Sequence, residues 1–369
     1  MEPSEIDHLN GLSDQLEAIY RKCNPARYTS PGNRLEEKGT FLSAWRRGSV
    51  YNPQFEYALP SIGWTSALES FLSTFKPQNQ WAHTLYQDAS HRLARLHSLW
   101  ERNPAEITNI SIDRYGPVKD ALVQDAYQLL NQTVETRVSD ATITATEAAV
   151  FLRQALAEAD LHEWQVVVSV RMSARMSVRS ISQKVNIQAD AMFNQQQLNR
   201  LLVHEIGTHV FRYMNGTVNP LRMLRMGLVD YLTTEEGLAT YHEQQYGLSD
   251  PETQRRYALR VIAAHLSLNH SFYEVFAHLC SYTDEESAFA IVTRAKRGMM
   301  DTSQSGAHVK DKVYFEGLQA VSAHLSEYPN DYALLMCGKV SLRMLPDLRE
   351  LKEVGVIFTP CYLPEQLFS

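Results

Sequence analysis

The sequence predicts a mainly helical α+β fold with one small antiparallel sheet placed immediately before a buried helix. Three observations predict it: helical patterns separated by Pro-containing breaks fill the chain to about residue 160, a β-branched stretch follows, and an apolar run at helical spacing then carries two histidines. The 369 residues suffice for a substantial core, and 44% hydrophobic with 21% charged residues is the composition of a folded chain.

The breaks in the first part are Asn24-Pro25, Ser30-Pro31-Gly32-Asn33, Asn52-Pro53 and Asn103-Pro104. Leu85, His91, Leu93, Leu96 and Leu99 predict a helix over residues 81–100, and Ala121, Leu122, Ala126 and Leu129 predict another over 119–130. Residues 1–160 are thus expected as a helical region packed on a core made by residues 161–369. Within that core, Val166-Val167-Val168-Ser169-Val170-Arg171-Met172, Met176-Ser177-Val178 and Val185-Asn186-Ile187 read as strands, with a turn at Ser182-Gln183. Asn194-Gln195-Gln196-Gln197 has the form of an N-cap and capping box. Leu198, Leu201, Leu202, Ile206, Val210 and Tyr213 continue at helical spacing to a stop at Asn215-Gly216. Helices are expected again over 255–277 and 286–296, followed by a polar loop over 298–312 and a tail broken by Pro329, Pro346, Pro360 and Pro364.

Charge and cysteine usage exclude several classes. A net charge of −7 gives no general attraction to nucleic acid or anionic membrane. The first residues lack the basic and apolar regions of a signal peptide, and no apolar run is long enough to span a bilayer. Cys23, Cys280, Cys337 and Cys361 stand far apart, which argues against a thiolate zinc cluster and a disulfide framework. A cytoplasmic protein is the expectation, with neither a nucleic-acid nor a membrane partner.

The chemistry lies in His204-Glu205-Ile206-Gly207-Thr208-His209, with Thr233-Thr234-Glu235-Glu236-Gly237 one helix length later. Two histidines and a glutamate form an established zinc ligand set that leaves a fourth position for water. Histidines four apart would lie about 40° apart on an α-helix, whereas these, five apart, lie about 140° apart. A shared ion therefore requires a widened π-turn between His204 and His209, with Gly207 lowering the cost of the distortion. His204, His209 and Glu236 are assigned as the metal ligands. Glu205, on a different side of the helix, is the general base that takes a proton from water and delivers it to the leaving amine. Glu236 has a competing reading as the third helical residue of a capping box begun by Thr233, with Glu235 as an alternative ligand. His242 reads as a supporting or surface residue.

Leu202-Val203-His204-Glu205-Ile206-Gly207-Thr208-His209, Asn215-Gly216, Pro220-Leu221 and Glu235-Glu236-Gly237-Leu238-Ala239 together resemble the QEGLA-motif family. Its bacterial members are labelled flavohaemoglobin expression-modulating, and its animal members include the microtubule-associated tubulin tyrosine carboxypeptidase. Arg297-Gly298 and Val309 to Leu318 look like the family's downstream strings, and the similarity covers about residues 165–320. Glu235 stands where the bacterial motif has Gln, as in the animal pattern, and the loop between Gly298 and Val309 is longer than the family's. The resemblance implies a zinc metallopeptidase in which His204, His209 and Glu236 hold Zn2+ and Glu205 is the acid/base. The expected function is a metallocarboxypeptidase of gluzincin-like architecture whose partner is a peptide or protein C-terminus. The alternatives are a zinc endopeptidase or other amide hydrolase, and a non-catalytic regulatory protein with a retained zinc site. Arg297 and Lys310 are the candidates for gripping a terminal carboxylate, and Tyr314 for donating to the oxyanion. Arg171 and Arg175, on the strand before the helix, are weaker substrate-binding candidates.

Overall fold

The computed structural model describes residues 3–23, 30–58, 64–75, 86, 103–132, 141–170, 172, 174–227 and 230–368. Of the predicted 81–100 helix only Tyr86 is among them, and Arg171 lies outside them. The other expected helices form close to their predicted bounds, including Asp120–Leu130 and Glu285–Ala295. The long helix expected over 255–277 is two, Pro251–Ser267 and Phe272–Leu279, because Ser271 and Glu274 make a reciprocal capping box that starts a new helix.

Strands β1 (Ile143–Thr144), β2 (Gln165–Ser169), β3 (Met176–Arg179), β4 (Lys184–Gln188) and β5 (Met192–Phe193) build two small sheets. β1 and β5 pair antiparallel. The other sheet has the order β2-β4-β3, with β4 antiparallel to β3 but parallel to β2. The expected antiparallel sheet is therefore mixed. Val185, Asn186 and Ile187 of β4 are all buried, so this strand needs cover on both faces and takes the central place. β3 and β4 form the hairpin, turning through Ser180–Ser182 and a left-handed Gln183 (φ 49°), and β2 joins β4's free edge.

This sheet, helix Ala145–Glu158 and the histidine segment share one apolar core, with Leu152, Val185, Ile187, Phe193, Ile206 and Val210 among its fully buried members. A second core joins Phe41 of the early chain to Phe272, Phe276 and Phe289 in mutual ring contacts. The third gathers Leu16, Leu224, Leu238, Leu335 and Leu348.

Two glycine contacts fix how the site's helices meet. Helix Tyr231–Gln245 crosses helix Val313–Glu327 at Gly237 and Gly317, where a Cβ on either residue would overlap the other helix's backbone. That close crossing sets Glu236 beside the segment carrying Lys310 and Tyr314. The stop expected at Asn215-Gly216 does not occur, since helix Phe211–Val218 runs through it. At Gly216 a Cβ would lie 2.6 Å from the Arg225 nitrogen, so this glycine serves close packing instead. Gly317→Ala should force the two helices apart at a cost of about 3 kcal/mol or more, read as a lower urea midpoint with an unchanged slope.

Candidate metal centre

The histidines stand on a stretch of π-helix, Leu202–Val210, inserted between helices Gln195–Leu201 and Phe211–Val218. The helix starts as expected, with Asn194 and Gln197 in a capping box. A π-turn returns residues five apart to one face, and the widened turn required by the sequence is present. The Thr208 hydroxyl donates across it to the carbonyl of Val203, five residues back, at 3.2 Å. The His204 and His209 rings consequently stand with centroids 5.0 Å apart and planes at 80°.

Glu236 closes the third side. Its Oε2 lies 3.5 Å from His204 Nε2 and 3.6 Å from His209 Nε2. Thr233 lies inside helix Tyr231–Gln245, which begins after a left-handed Asp230, so the capping-box reading of Thr233 and Glu236 fails. His204, His209 and Glu236 are the one metal-ligand grouping of three or more among the described residues, with candidate atoms all within 4.8 Å of one another. Glu236 Oε2 is buried and accepts no hydrogen bond among the described residues, a costly state for a carboxylate oxygen unless a cation faces it. Tetrahedral zinc spaces neighbouring ligand atoms roughly 3.4 Å apart, close to the two separations seen here. The donor set suits zinc and related first-row ions.

Each imidazole is oriented from behind. His204 Nδ1 meets Glu243 Oε1 at 2.7 Å, and His209 Nδ1 meets Glu235 Oε1 at 2.8 Å, leaving both Nε2 atoms to face Glu236. Glu243 also accepts from Arg200 Nη1 at 2.7 Å and from the Tyr257 hydroxyl. Glu235 accepts from Lys339 Nζ at 2.9 Å and from Arg212, whose guanidinium is tied to the carbonyls of Leu335 and Val340. Glu235, the alternative ligand, thus braces His209 instead. Such carboxylate–histidine pairs fix ring orientation and raise ligand basicity. Burial opposes ionisation of all three glutamates; Lys339 and Arg212 hold Glu235 down, the two imidazoles hold Glu236, and Arg200 with His204 holds Glu243. Burial also opposes charge on the imidazoles, but Glu236 and Glu243 push His204 up to about 10, and Glu235 and Glu236 raise His209. His242 supports from below: its Nδ1 meets the Thr208 hydroxyl at 2.7 Å and its Nε2 meets Tyr332 at 3.0 Å, with burial lowering it to about 3.

Glu205 is buried beside the cluster, and its charge acts on His204. Lys310 Nζ lies 3.8 Å from Glu236 Oε1. The Tyr314 ring stacks with His204 at 6.2 Å and with Tyr257 at 5.2 Å, and the Arg260 guanidinium lies 4.6 Å from its centre. Burial, then the charge of Glu236, pushes the Tyr314 phenol well above its ordinary value, so it stays a protonated donor. Arg297 is half-buried, in the electrostatic range of Tyr314, Tyr115 and the Arg294–Asp311 pair, and its guanidinium is lowered by burial and by Arg294. Arg175 packs over Phe193 at 4.7 Å and bonds to Gln197, near the helix start.

Sequence reasoning missed the bracing groups. Glu243 was within reach of it, because seven residues from Glu236 amounts to about two turns and returns to the same helix face. Arg212, Lys339 and Tyr257 gave no local signal. The site is also richer in cations than an acidic chain suggests: Arg175, Arg256 and Arg260 approach closely enough that, after burial, neighbouring arginines lower Arg175 and Arg256.

Fold and site define a helical α+β protein built around a His-His-Glu cluster whose two histidines stand on a π-turn. The chain belongs to the microtubule-associated tyrosine carboxypeptidase family, whose sequence profile matches residues 41–369. It is 36% identical over 169 residues to microtubule-associated tyrosine carboxypeptidase 1 of Mus musculus, covering 44% of this chain and 35% of that protein. To the putative tyrosine carboxypeptidase MATCAP2 of Mus musculus it is 26% identical over 342 residues, covering 90% of this chain and 57% of the relative. The chain thus spans only 35% and 57% of the length of these two relatives.

Glu243→Gln should weaken zinc binding about 10- to 100-fold in competition with a chromophoric chelator, since the His204 brace loses its charge. An unchanged affinity would remove Glu243 from the site. Because the carboxylates beside both imidazoles raise their proton affinity and zinc takes the neutral rings, zinc binding should release protons into weakly buffered solution. Apparent affinity should fall about tenfold per proton displaced for each unit of acidification.

Proposed function

We propose that this chain is a zinc metallopeptidase of gluzincin-like arrangement that removes the C-terminal residue of a peptide or protein. The observation that carries the reading is Glu236 Oε2, buried without a hydrogen-bond partner and facing two Nε2 atoms whose rings are braced by Glu235 and Glu243. His204, His209 and Glu236 hold the ion. Bound there, zinc supplies Lewis acidity toward the scissile carbonyl and lowers the pKa of a water. Glu205 accepts a proton from the attacking water and passes it to the leaving nitrogen. The Tyr314 hydroxyl, kept protonated by its burial, donates to the oxygen on which charge develops. Residues 161–369 supply this machinery, and helix Ala145–Glu158 of the preceding part shares its apolar core.

Two supports favour an exopeptidase. The matched relatives are named as tyrosine carboxypeptidases, and Lys310, 3.8 Å from Glu236, with Arg297, within electrostatic range of Tyr314, supplies cations suited to a terminal carboxylate. A cavity of about 430 Å3 opens at the start of helix Tyr231–Gln245, lined among others by Tyr20, Tyr115, Tyr231 and Thr233. Thr233 is one turn from Glu236, and Tyr115 meets the ring of His308 at 5.6 Å beside Arg297 and Lys310. The relatives' names make tyrosine the terminal residue to test first. The clustered arginines favour acidic residues upstream of it, a preference that the net charge of −7 does not advertise. The reading carries with it a cytoplasmic location; among the described residues no helix is long and apolar enough to cross a membrane.

The test is a pair of acidic peptides ending in tyrosine, one with a free and one with an amidated C-terminus. Release of free tyrosine from the first alone is expected, whereas internal cleavage of both would replace this reading with an endopeptidase. Glu205→Gln should lower kcat at least about 1,000-fold while zinc stays bound by elemental analysis; full turnover in that variant would remove Glu205 as the base. Arg297→Ala should raise KM for the free-carboxylate peptide about 10-fold or more with a smaller change in kcat.

A further inference from the structure

We infer that the segment 358–368 is a clasp that holds the π-turn open and so positions the two histidines. A π-turn is rarer than an α-turn and persists only where its surroundings over-determine it. Thr208 supplies one determinant from within the helix, through its bond to Val203. The other comes from the far end of the chain. The short helix Pro364–Leu367 lies against Gly207, midway between the ligands, where a Cβ would meet Leu367 Cδ1 at 3.1 Å and Pro364 Cβ at 3.3 Å.

The segment is tied down around this contact. Asn215 accepts from the backbone nitrogens of Cys361 and Tyr362 at 2.9 Å each and donates to the carbonyls of Tyr362 at 2.8 Å and Met336 at 2.9 Å. Asn219 accepts from the Phe358 nitrogen at 2.8 Å, the Tyr362 ring packs on Phe211 at 5.5 Å, and Phe368 stacks on Tyr246 at 4.9 Å. The clasp therefore grips both the helix that continues the π-turn and the helix that carries Glu236. Gly207 has a function different from the backbone freedom its sequence position suggests: its missing side chain is the seat of Leu367. Leu367, Pro364 and Asn215 touch no reacting group and are positioning residues.

A double-mutant cycle tests the inference. Gly207→Val fills the seat of Leu367, and Leu367→Ala empties it; each alone should weaken zinc binding about tenfold. In the double variant the valine occupies the vacated space, and affinity should recover most of the loss. Gly207→Ala, with a smaller intrusion, gives the same ordering on a reduced scale should Gly207→Val not fold. Melting temperature is measured with and without zinc, because a purely structural contact lowers both values equally and leaves the zinc-dependent rise unchanged. That result, or additive losses in the cycle, overturns the clasp. Amide hydrogen exchange of the metal-free protein decides the point independently of the metal reading. Faster exchange confined to residues 203–210 in Leu367→Ala supports the clasp, and unchanged exchange there overturns it even if the unaltered protein takes up no zinc.

Discussion

Two imidazoles five residues apart face one point only if the helix carrying them widens, and the rest of this structure is arranged around that constraint. The sheet and helix Ala145–Glu158 bury the apolar side of the segment through Ile206 and Val210. His242 supports Thr208 at the centre of the turn, and Pro364 and Leu367 close over Gly207. The Gly237–Gly317 crossing then lets helix Tyr231–Gln245 come close enough to the neighbouring helix for Glu236, Lys310 and Tyr314 to share one small space.

The electrostatics follow the same economy. Buried charges are expensive unless paired, and the bracing glutamates are fully paired: Glu235 between Arg212, Lys339 and His209, Glu243 between Arg200, Tyr257 and His204. Glu236 Oε2 breaks the pattern. An acidic chain thereby surrounds its site with arginine and lysine, because buried carboxylates must be balanced locally whatever the net charge. Solution-phase charge is a property of the whole surface, whereas the field at a buried site is set by its nearest partners.

The sequence showed the path of the polypeptide well where local rules govern. The Asn194–Gln197 capping box, the helix bounds and the need for a π-turn all follow from spacing and side-chain chemistry within a dozen residues. The single helix read over 255–277 fails despite the local Ser271–Glu274 capping box, but other readings failed where tertiary packing decided the outcome. Asn215-Gly216 has the composition of a helix stop, yet Asn215 is satisfied by residues about 120 to 147 positions away and Gly216 by the packing of Arg225. Thr233 and Glu236 fit a capping box, but the N-cap is Asp230, three residues earlier. Three strands in a row suggest a meander, but the strand with three consecutive buried residues has to be central.

By itself, then, the sequence determined the paired histidines and the adjacent glutamates as candidates, the five-residue spacing and the distortion that spacing demands, because helix geometry is periodic and local. The same strings carried the family resemblance, whereas membership in the tyrosine carboxypeptidase family rests on the profile match over residues 41–369. Spacing left Glu235 and Glu236 open, the family resemblance implied Glu236, and tertiary structure shows which glutamate faces the imidazoles and which stands behind them, through the rotation of their helix. It also decided the ion pairs that hold Glu235 and Glu243, and the contact of Leu367 with Gly207. Those interactions join residues tens to hundreds of positions apart, and no local pattern records a separation that only folding closes.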